Sequence, residues 1–122
     1  MLDIDFFKKV NDTYGHDIGD KVLIQLTNKI KHLIRDSDIF CRYGGEEFII
    51  IMPHCTAKKA LEKAEYIRKI VEKLTITPLK QLTISLGVTE VKKEDTIENM
   101  IKRVDKALYY SKENGRNRVT LF

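Results

Sequence analysis

Residues 39–52 constrain this chain most. Ile39-Phe40-Cys41-Arg42-Tyr43 reads as a strand, Gly44-Gly45 as a two-residue hairpin signal, and Glu46-Glu47-Phe48-Ile49-Ile50-Ile51-Met52 as the returning strand, which Pro53 stops. An isolated hairpin is marginal in water and needs an apolar partner. The flanking segments supply one on each side. Val22, Leu26, Ile30, Leu33 and Ile34 recur at three- and four-residue spacing in a helix predicted over 18–36. Ala60, Ala64, Ile67, Val71 and Leu74 form the inner face of a second, predicted over 56–74.

The rest of the chain completes this frame. Met1-Leu2-Asp3-Ile4-Asp5 reads as the second half of a strand, so part of that strand is expected upstream and the chain is expected to be a fragment. Residues 6–12 predict a short helix, broken at Thr13-Tyr14-Gly15-His16-Asp17. Residues 82–88 alternate as a half-buried strand does. A third long helix is predicted over 96–114, with Ile97, Met100, Ile101, Val104 and Leu108 as its stripe and Gly115 as its stop. Residues 119–122 predict a last strand. With no repeat, low-complexity tract or linker, residues 1–122 read as one domain. A hairpin between helical crossovers predicts an α+β sandwich of the ferredoxin-like kind.

Composition narrows the function classes. Of 122 residues, 43% are hydrophobic and 33% charged, which excludes a disordered tail. The net charge of +4 suits an anionic ligand such as a nucleotide, and is too small to argue for nucleic acid. No apolar run approaches the roughly 20 residues of a membrane helix, so no membrane contact by this domain is expected. Cys41 and Cys55 make neither a disulfide framework nor a metal knuckle, and a cytoplasmic setting is expected.

The acids carry the chemistry. Asp3 and Asp5 are two apart and point to the same side of a strand, whereas Glu46 and Glu47 point to opposite sides, so at most one of these joins a shared site. Taken singly, each reads as a solvated surface acid. Taken together, acids at the head of an apolar strand and just past a tight turn repel one another unless a cation offsets them. Mg²⁺ fits, because it binds through one or two carboxylates plus substrate phosphates.

Arg42-Tyr43-Gly44-Gly45-Glu46-Glu47-Phe48 resembles the signature of the GGDEF family, the diguanylate cyclases, in its Glu-containing variant. Asp3-Ile4-Asp5-Phe6-Phe7-Lys8, Asn11-Asp12, Gly15-His16, Gly19-Asp20, Ser85-Leu86-Gly87-Val88 and Ala107-Leu108-Tyr109 through Gly115-Arg116-Asn117 follow in the family's order and spacing. The resemblance implies a nucleotide-cyclase palm and the condensation of two GTP into cyclic di-3′,5′-guanylate with release of pyrophosphate. It implies a homodimer whose two half-sites face each other, an upstream sensory or receiver domain, and no nucleic-acid partner.

By position, the resemblance assigns Mg²⁺ (or Mn²⁺) to Asp3, the Ile4 carbonyl and Glu46, with Glu47 adjoining. Glu46 is also the candidate that activates the 3′-hydroxyl. Gly45 lets backbone approach the nucleotide. Lys8 and the amides of Phe6 and Phe7 are assigned to the phosphates at a helix start, as are Lys112 and Arg116, four apart on the last helix. Asn11 and Asp20 resemble the guanine-reading pair, and His16 lies in the same turn. Arg35 and Asp38 resemble the Arg-x-x-Asp product-inhibition site, where Tyr66 replaces an arginine that often completes it.

The family's usual upstream helix and Asp-x-Leu-Thr-Gly-Leu segment are lacking, so weak or no turnover is expected of this chain alone. Two rival readings remain. One is a degenerate member that binds GTP or cyclic di-GMP as a sensor, which would not need the metal acids. The other is a ferredoxin-like nucleic-acid-binding module, which would need a paired aromatic platform that this chain lacks.

Overall fold

The computed structural model describes all of residues 1–122. In chain order it contains β1 (Leu2–Ile4), α1 (Phe7–Tyr14), α2 (His16–Leu33), β2 (Ile39–Arg42), β3 (Glu47–Ile51), α3 (Ala57–Glu72), β4 (Ile84–Val88), α4 (Ile97–Glu113) and β5 (Val119–Leu121). One sheet holds all the strands in the order β2-β3-β1-β4-β5. β1 runs antiparallel to both β3 and β4. β5 is parallel to β4 because a whole helix carries the chain back between them. This is the predicted ferredoxin-like α+β order with a fifth strand at one edge.

The two sheet faces are unlike. Leu2 and Ile4 of β1, Phe48 of β3, and Ile84 and Leu86 of β4 pack with Val22, Leu26 and Ile30 of α2 and Ala64, Ile67 and Val71 of α3 in one buried cluster. Each large side chain buried there contributes about 1.5–3 kcal/mol. Asp3, Ser85 and Gly87 alternate with these residues and belong to the opposite face, where α4 lies. A β-carbon on Gly87 would run into the Val104 carbonyl and the Leu108 amide of α4, so the helix rests directly on the strand backbone. The buried Ser111 hydroxyl seals the contact, donating to the Leu86 carbonyl at 2.8 Å and pairing with Thr120 Oγ1 at 2.7 Å.

Helix ends follow local chemistry. Thr56 and Thr96 cap α3 and α4, accepting from the Lys59 and Asn99 amides at 3.4 and 3.1 Å. α4 stops as predicted at Gly115, whose φ is +111°, and the Arg116 amide returns to the Ser111 carbonyl at 3.0 Å.

Four local expectations are corrected. α1 runs on to Tyr14, so His16 opens α2 instead of lying in a turn, and α2 ends before Arg35. The hairpin loop has three residues, 44–46, and neither Gly44 nor Gly45 takes a positive φ. The cause is Arg42, whose Nε donates to the Gly44 and Gly45 carbonyls at 3.1 Å and whose Nη2 donates to Gly45 at 2.6 Å. Ile97 is exposed, because the first turn of α4 overhangs the sheet. There an apolar trough of about 460 Å³ opens beside Met1, Ile49, Ile51, Met100, Ile101 and Val104. No helix is long and apolar enough to cross a membrane.

Gly87→Ala is expected to cost about 3 kcal/mol, because backbone and not a movable side chain meets the new methyl group. Urea denaturation measures it: the midpoint should fall at constant slope, and a change under about 0.5 kcal/mol would show that α4 is not seated as described.

Candidate active site

The register of β1 against β3 sets Asp3 opposite Glu47, and the Ile4 amide donates to the Glu46 carbonyl at 3.2 Å. Three of the four acids singled out from the sequence, Asp3, Glu46 and Glu47, thus gather at the turn end of the hairpin. The Asp3 side chain is only 8% exposed, and its Oδ2 is paired with Lys112 Nζ of α4 at 2.9 Å. Burial pushes the Asp3 carboxyl above the usual range; Lys112 pulls it back, and Glu46 and Glu47 push it up again. The cluster is short of positive charge.

Those donors fit a divalent ion. The Asp3 and Glu46 carboxylates and the Ile4 carbonyl are hard oxygens of the kind magnesium takes. The Lys112 ammonium marks the spot as one that stabilises a cation. No three His, Cys, Asp or Glu side chains converge into a group that could hold a metal ion by themselves.

Next to the acids, the chain leaves β1 through Phe6, which has a left-handed backbone (φ 56°, ψ 32°) and caps α1 with no side-chain bond. No acidic residue occupies the first turn of α1. The leading amides of that helix, Phe7 and Lys8 among them, have no intrahelical acceptor. The Lys8 ammonium rests on Asp12 at 3.1 Å, fully in solvent. Arg116 is not on α4. It lies beyond the cap with φ 59°, and its guanidinium stacks 4.6 Å from the centre of the Phe6 ring. The loop, and not helical spacing from Lys112, brings it to the start of α1.

Asn11 lies farther along α1. Its Oδ1 is buried without a partner, pressed against Gly19 of α2, where any side chain would collide with it. Asp20 follows on α2 with its side chain exposed, and His16 is exposed at the head of that helix. Gly45 has neither a positive φ nor any atom within 4 Å of where its β-carbon would stand. Nothing inside the fold requires glycine there.

Arg35 and Asp38 are joined to each other. Arg35 Nε and Nη2 donate to Asp38 Oδ1 at 3.1 and 2.7 Å, and the Arg35 amide donates to Oδ2 at 2.9 Å. Burial pushes the Asp38 carboxyl up, but these bonds outweigh it and hold it below the usual carboxylate range. Arg35 Nη2 also reaches the Pro53 carbonyl at 3.0 Å. Tyr66 is exposed and carries the Lys63 ammonium 5.5 Å from its ring centre.

Residues 1–118 match the family model described as diguanylate cyclase, GGDEF domain. The chain belongs to the GGDEF domain family. It is 48% identical to Diguanylate cyclase A of Treponema denticola over 125 residues, covering 99% of this chain and 34% of that protein. It is 46% identical to Response regulator PleD of Caulobacter vibrioides, covering 98% of this chain and 28% of that protein. The chain therefore spans about a third of these relatives. The GGDEF domain of DgcB from Caulobacter crescentus, solved in complex with c-di-GMP, superposes with a TM-score of 0.93 at 39% identity, covering 98% of this chain and 74% of that one.

Asp5 falls on the face of Asp3 and Ser85, as the spacing of two predicts, but sequence reasoning missed its partners in this GGDEF domain. β1 ends at Ile4, and Asp5 does not share the fate of Asp3. It is buried and accepts from Ser85 Oγ at 2.6 Å, Thr83 Oγ1 at 2.8 Å and the Asn117 amide at 3.0 Å. Of these residues, Ser85 and Asn117 lay in the quoted family motifs, and neither was given a role.

Asp3→Asn is expected to stabilise the fold at neutral pH by about 1 kcal/mol, raising Tm by roughly 3–6 °C. The native Asp3 carboxyl lies above its unfolded value, so its cost is full at neutral pH and fades as pH falls through that native value. The advantage of the Asn variant over the parent should shrink accordingly between pH 7 and pH 4. A variant less stable at pH 7, or an advantage growing on acidification, would overturn the charge assignment.

Proposed function

We propose that this GGDEF domain is the catalytic domain of a diguanylate cyclase, each copy holding one GTP across a two-fold axis. The observation that carries the reading is the buried Asp3 carboxyl gathered with Glu46 and Glu47 and offset by one ammonium. Such a cluster costs stability and serves no packing purpose. Family membership supports the same reading.

The residues divide the work by position. Asn11 has its Oδ1 turned against Gly19, which leaves its amide nitrogen to donate to a guanine acceptor. Asp20 accepts from the guanine N1–H and exocyclic amine, a donor pattern adenine lacks. His16 lines the same end of the site. Triphosphate oxygens lie at the α1 start, against the Phe6 and Phe7 amides and below Arg116. Lys8 is free to reach them, since an exposed ion pair such as that with Asp12 is worth about 0–1 kcal/mol. Lys112 adds positive charge from α4. Gly45 lets backbone close on the nucleotide, which explains a glycine that its own fold does not require.

Bound by Asp3, the Ile4 carbonyl and Glu46, with Glu47 adjoining, Mg²⁺ or Mn²⁺ would polarise phosphate oxygens and make a hydroxyl easier to ionise. Glu46 takes the 3′-hydroxyl proton, the 3′-oxygen bonds to the α-phosphorus of the partner's GTP, and the bond from that phosphorus to the departing pyrophosphate breaks. The same exchange in the other direction closes the ring. The Arg35–Asp38 clamp is proposed as the product-inhibition site, binding cyclic di-GMP through Arg35 Nη1, which neither Asp38 nor Pro53 engages, and through the guanidinium face. An upstream receiver or sensory module brings two copies together, in line with the name of the PleD relative.

Extended upstream to restore the family's usual helix and Asp-x-Leu-Thr-Gly-Leu segment and incubated with GTP and Mg²⁺ at high concentration, the chain should yield cyclic di-GMP by chromatography, and Glu46→Gln should lower the yield at least a hundredfold with unchanged circular dichroism. Retained turnover would remove Glu46 from the mechanism. By calorimetry the parent should prefer GTP to ATP, and Asp20→Ala should erase most of that preference. Equal affinity for the two nucleotides in the parent would sink the guanine assignment, and binding of GTP without product would favour a sensor.

A further inference from the structure

Asn117 is outside the residues assigned to nucleotide or metal, yet its backbone amide and both polar atoms of its side chain are engaged. Its amide donates to Asp5 Oδ2 at 3.0 Å, its Oδ1 accepts from Arg68 Nη1 at 2.7 Å, and its Nδ2 donates to Glu72 Oε1 at 2.9 Å. Arg68 is nearly buried and is itself clamped by Glu65 and Glu72 on α3. One residue therefore ties the loop after α4 to α3 through its side chain and to Asp5, just past β1, through its backbone amide. It does so in a left-handed conformation (φ 45°), which asparagine tolerates better than most residues.

The two residues on either side of these anchors carry the site. Asp5 precedes Phe6, which opens α1, and Arg116 precedes Asn117. Both Phe6 and Arg116 are left-handed, and they meet in the stack of guanidinium on ring. Two strained residues held face to face need outside support, and the anchors beside them are Asp5 and Asn117. We propose that Asn117 is a positioning residue: through Arg68 and Asp5 it fixes Arg116 over the start of α1 and so sets the width of the phosphate cradle. The proposal rests on the cyclase reading for the ligand, and not for the geometry.

The test uses Asn117→Gly, which keeps the left-handed backbone and the amide to Asp5 and removes only the side-chain bonds. Arg68→Met breaks the same link from α3 and serves if the first variant folds poorly. In either variant, calorimetry should show GTP affinity falling roughly tenfold and guanosine affinity changing less than about twofold, because guanosine has no phosphates to misplace. Arg116→Ala added to Asn117→Gly should cost little more, since Arg116 is already displaced. Equal losses for GTP and guanosine, or additive losses in the double variant, would overturn the proposal. A ligand-free measurement separates it from the cyclase reading. Proton spectra should show the Arg116 side chain shifted by the Phe6 ring in the parent and relaxed in Asn117→Gly. A shift kept in the variant overturns the positioning role; a shift lost, in a chain that takes up no GTP, supports that role and sinks the cyclase reading instead.

Discussion

A three-residue strand paired on both sides decides where the central acid of the candidate site goes. β1 is antiparallel to β3 and β4, so Asp3 lies between Glu47 and Ser85 while Leu2 and Ile4 enter the α2–α3 core. Slipping β1 by one residue would drive Asp3 into that core and push both aliphatic side chains out, an exchange of several kcal/mol. The apolar alternation therefore delivers the carboxylate. The seating of α4 on Gly87 then brings Lys112 over the sheet far enough to reach it. Core packing on one face and close helix approach on the other converge on a single ion pair.

Asp3 and Asp5 show how environment divides two like residues. Both are nearly buried. Asp5 takes three hydrogen bonds from β4, the segment leading into it and the loop before β5, so its charge is answered by fixed dipoles and it serves as a knot between distant parts of the chain. Asp3 has one ammonium and two neighbouring acids, and burial outweighs what that ammonium returns. A carboxylate with its hydrogen bonds filled is structural; one left wanting a cation is available for chemistry.

Much of this was legible, and the failures are specific. Helix stripes were readable because α2 and α3 each lay one face on the same sheet. Ile97 had the right spacing and the wrong surroundings, since periodicity cannot tell which turn of a helix overhangs its sheet. The Gly44-Gly45 turn was misread because Arg42, a side chain from the strand, overrides the local preference of two glycines. The resemblance assigned Arg116 to the phosphates and helical spacing set it on one face with Lys112, but α4 ends three residues before it, and the loop carries its guanidinium onto the Phe6 ring instead. Asn117 was beyond reach, because its partners Asp5 and Arg68 stand 112 and 49 positions away and no periodic pattern links them.

The distribution of backbone strain carries the argument one step further. Four non-glycine residues have positive φ: Phe6, His54, Arg116 and Asn117. A left-handed conformation costs such residues about 1–2 kcal/mol each and survives only where surrounding contacts over-determine it. Phe6, Arg116 and Asn117 cluster at the start of α1, pinned by Asp5 and Arg68. His54 follows Pro53, whose carbonyl receives the Arg35 guanidinium of the second candidate site. Chain that merely connected helices to strands would have settled into relaxed turns at both places. At the start of α1 the strain is held by the hydrogen bonds of Asn117 to Asp5 and Arg68, and at both places it adjoins an arginine. The expenditure of stability thus follows the same map as the charged side chains.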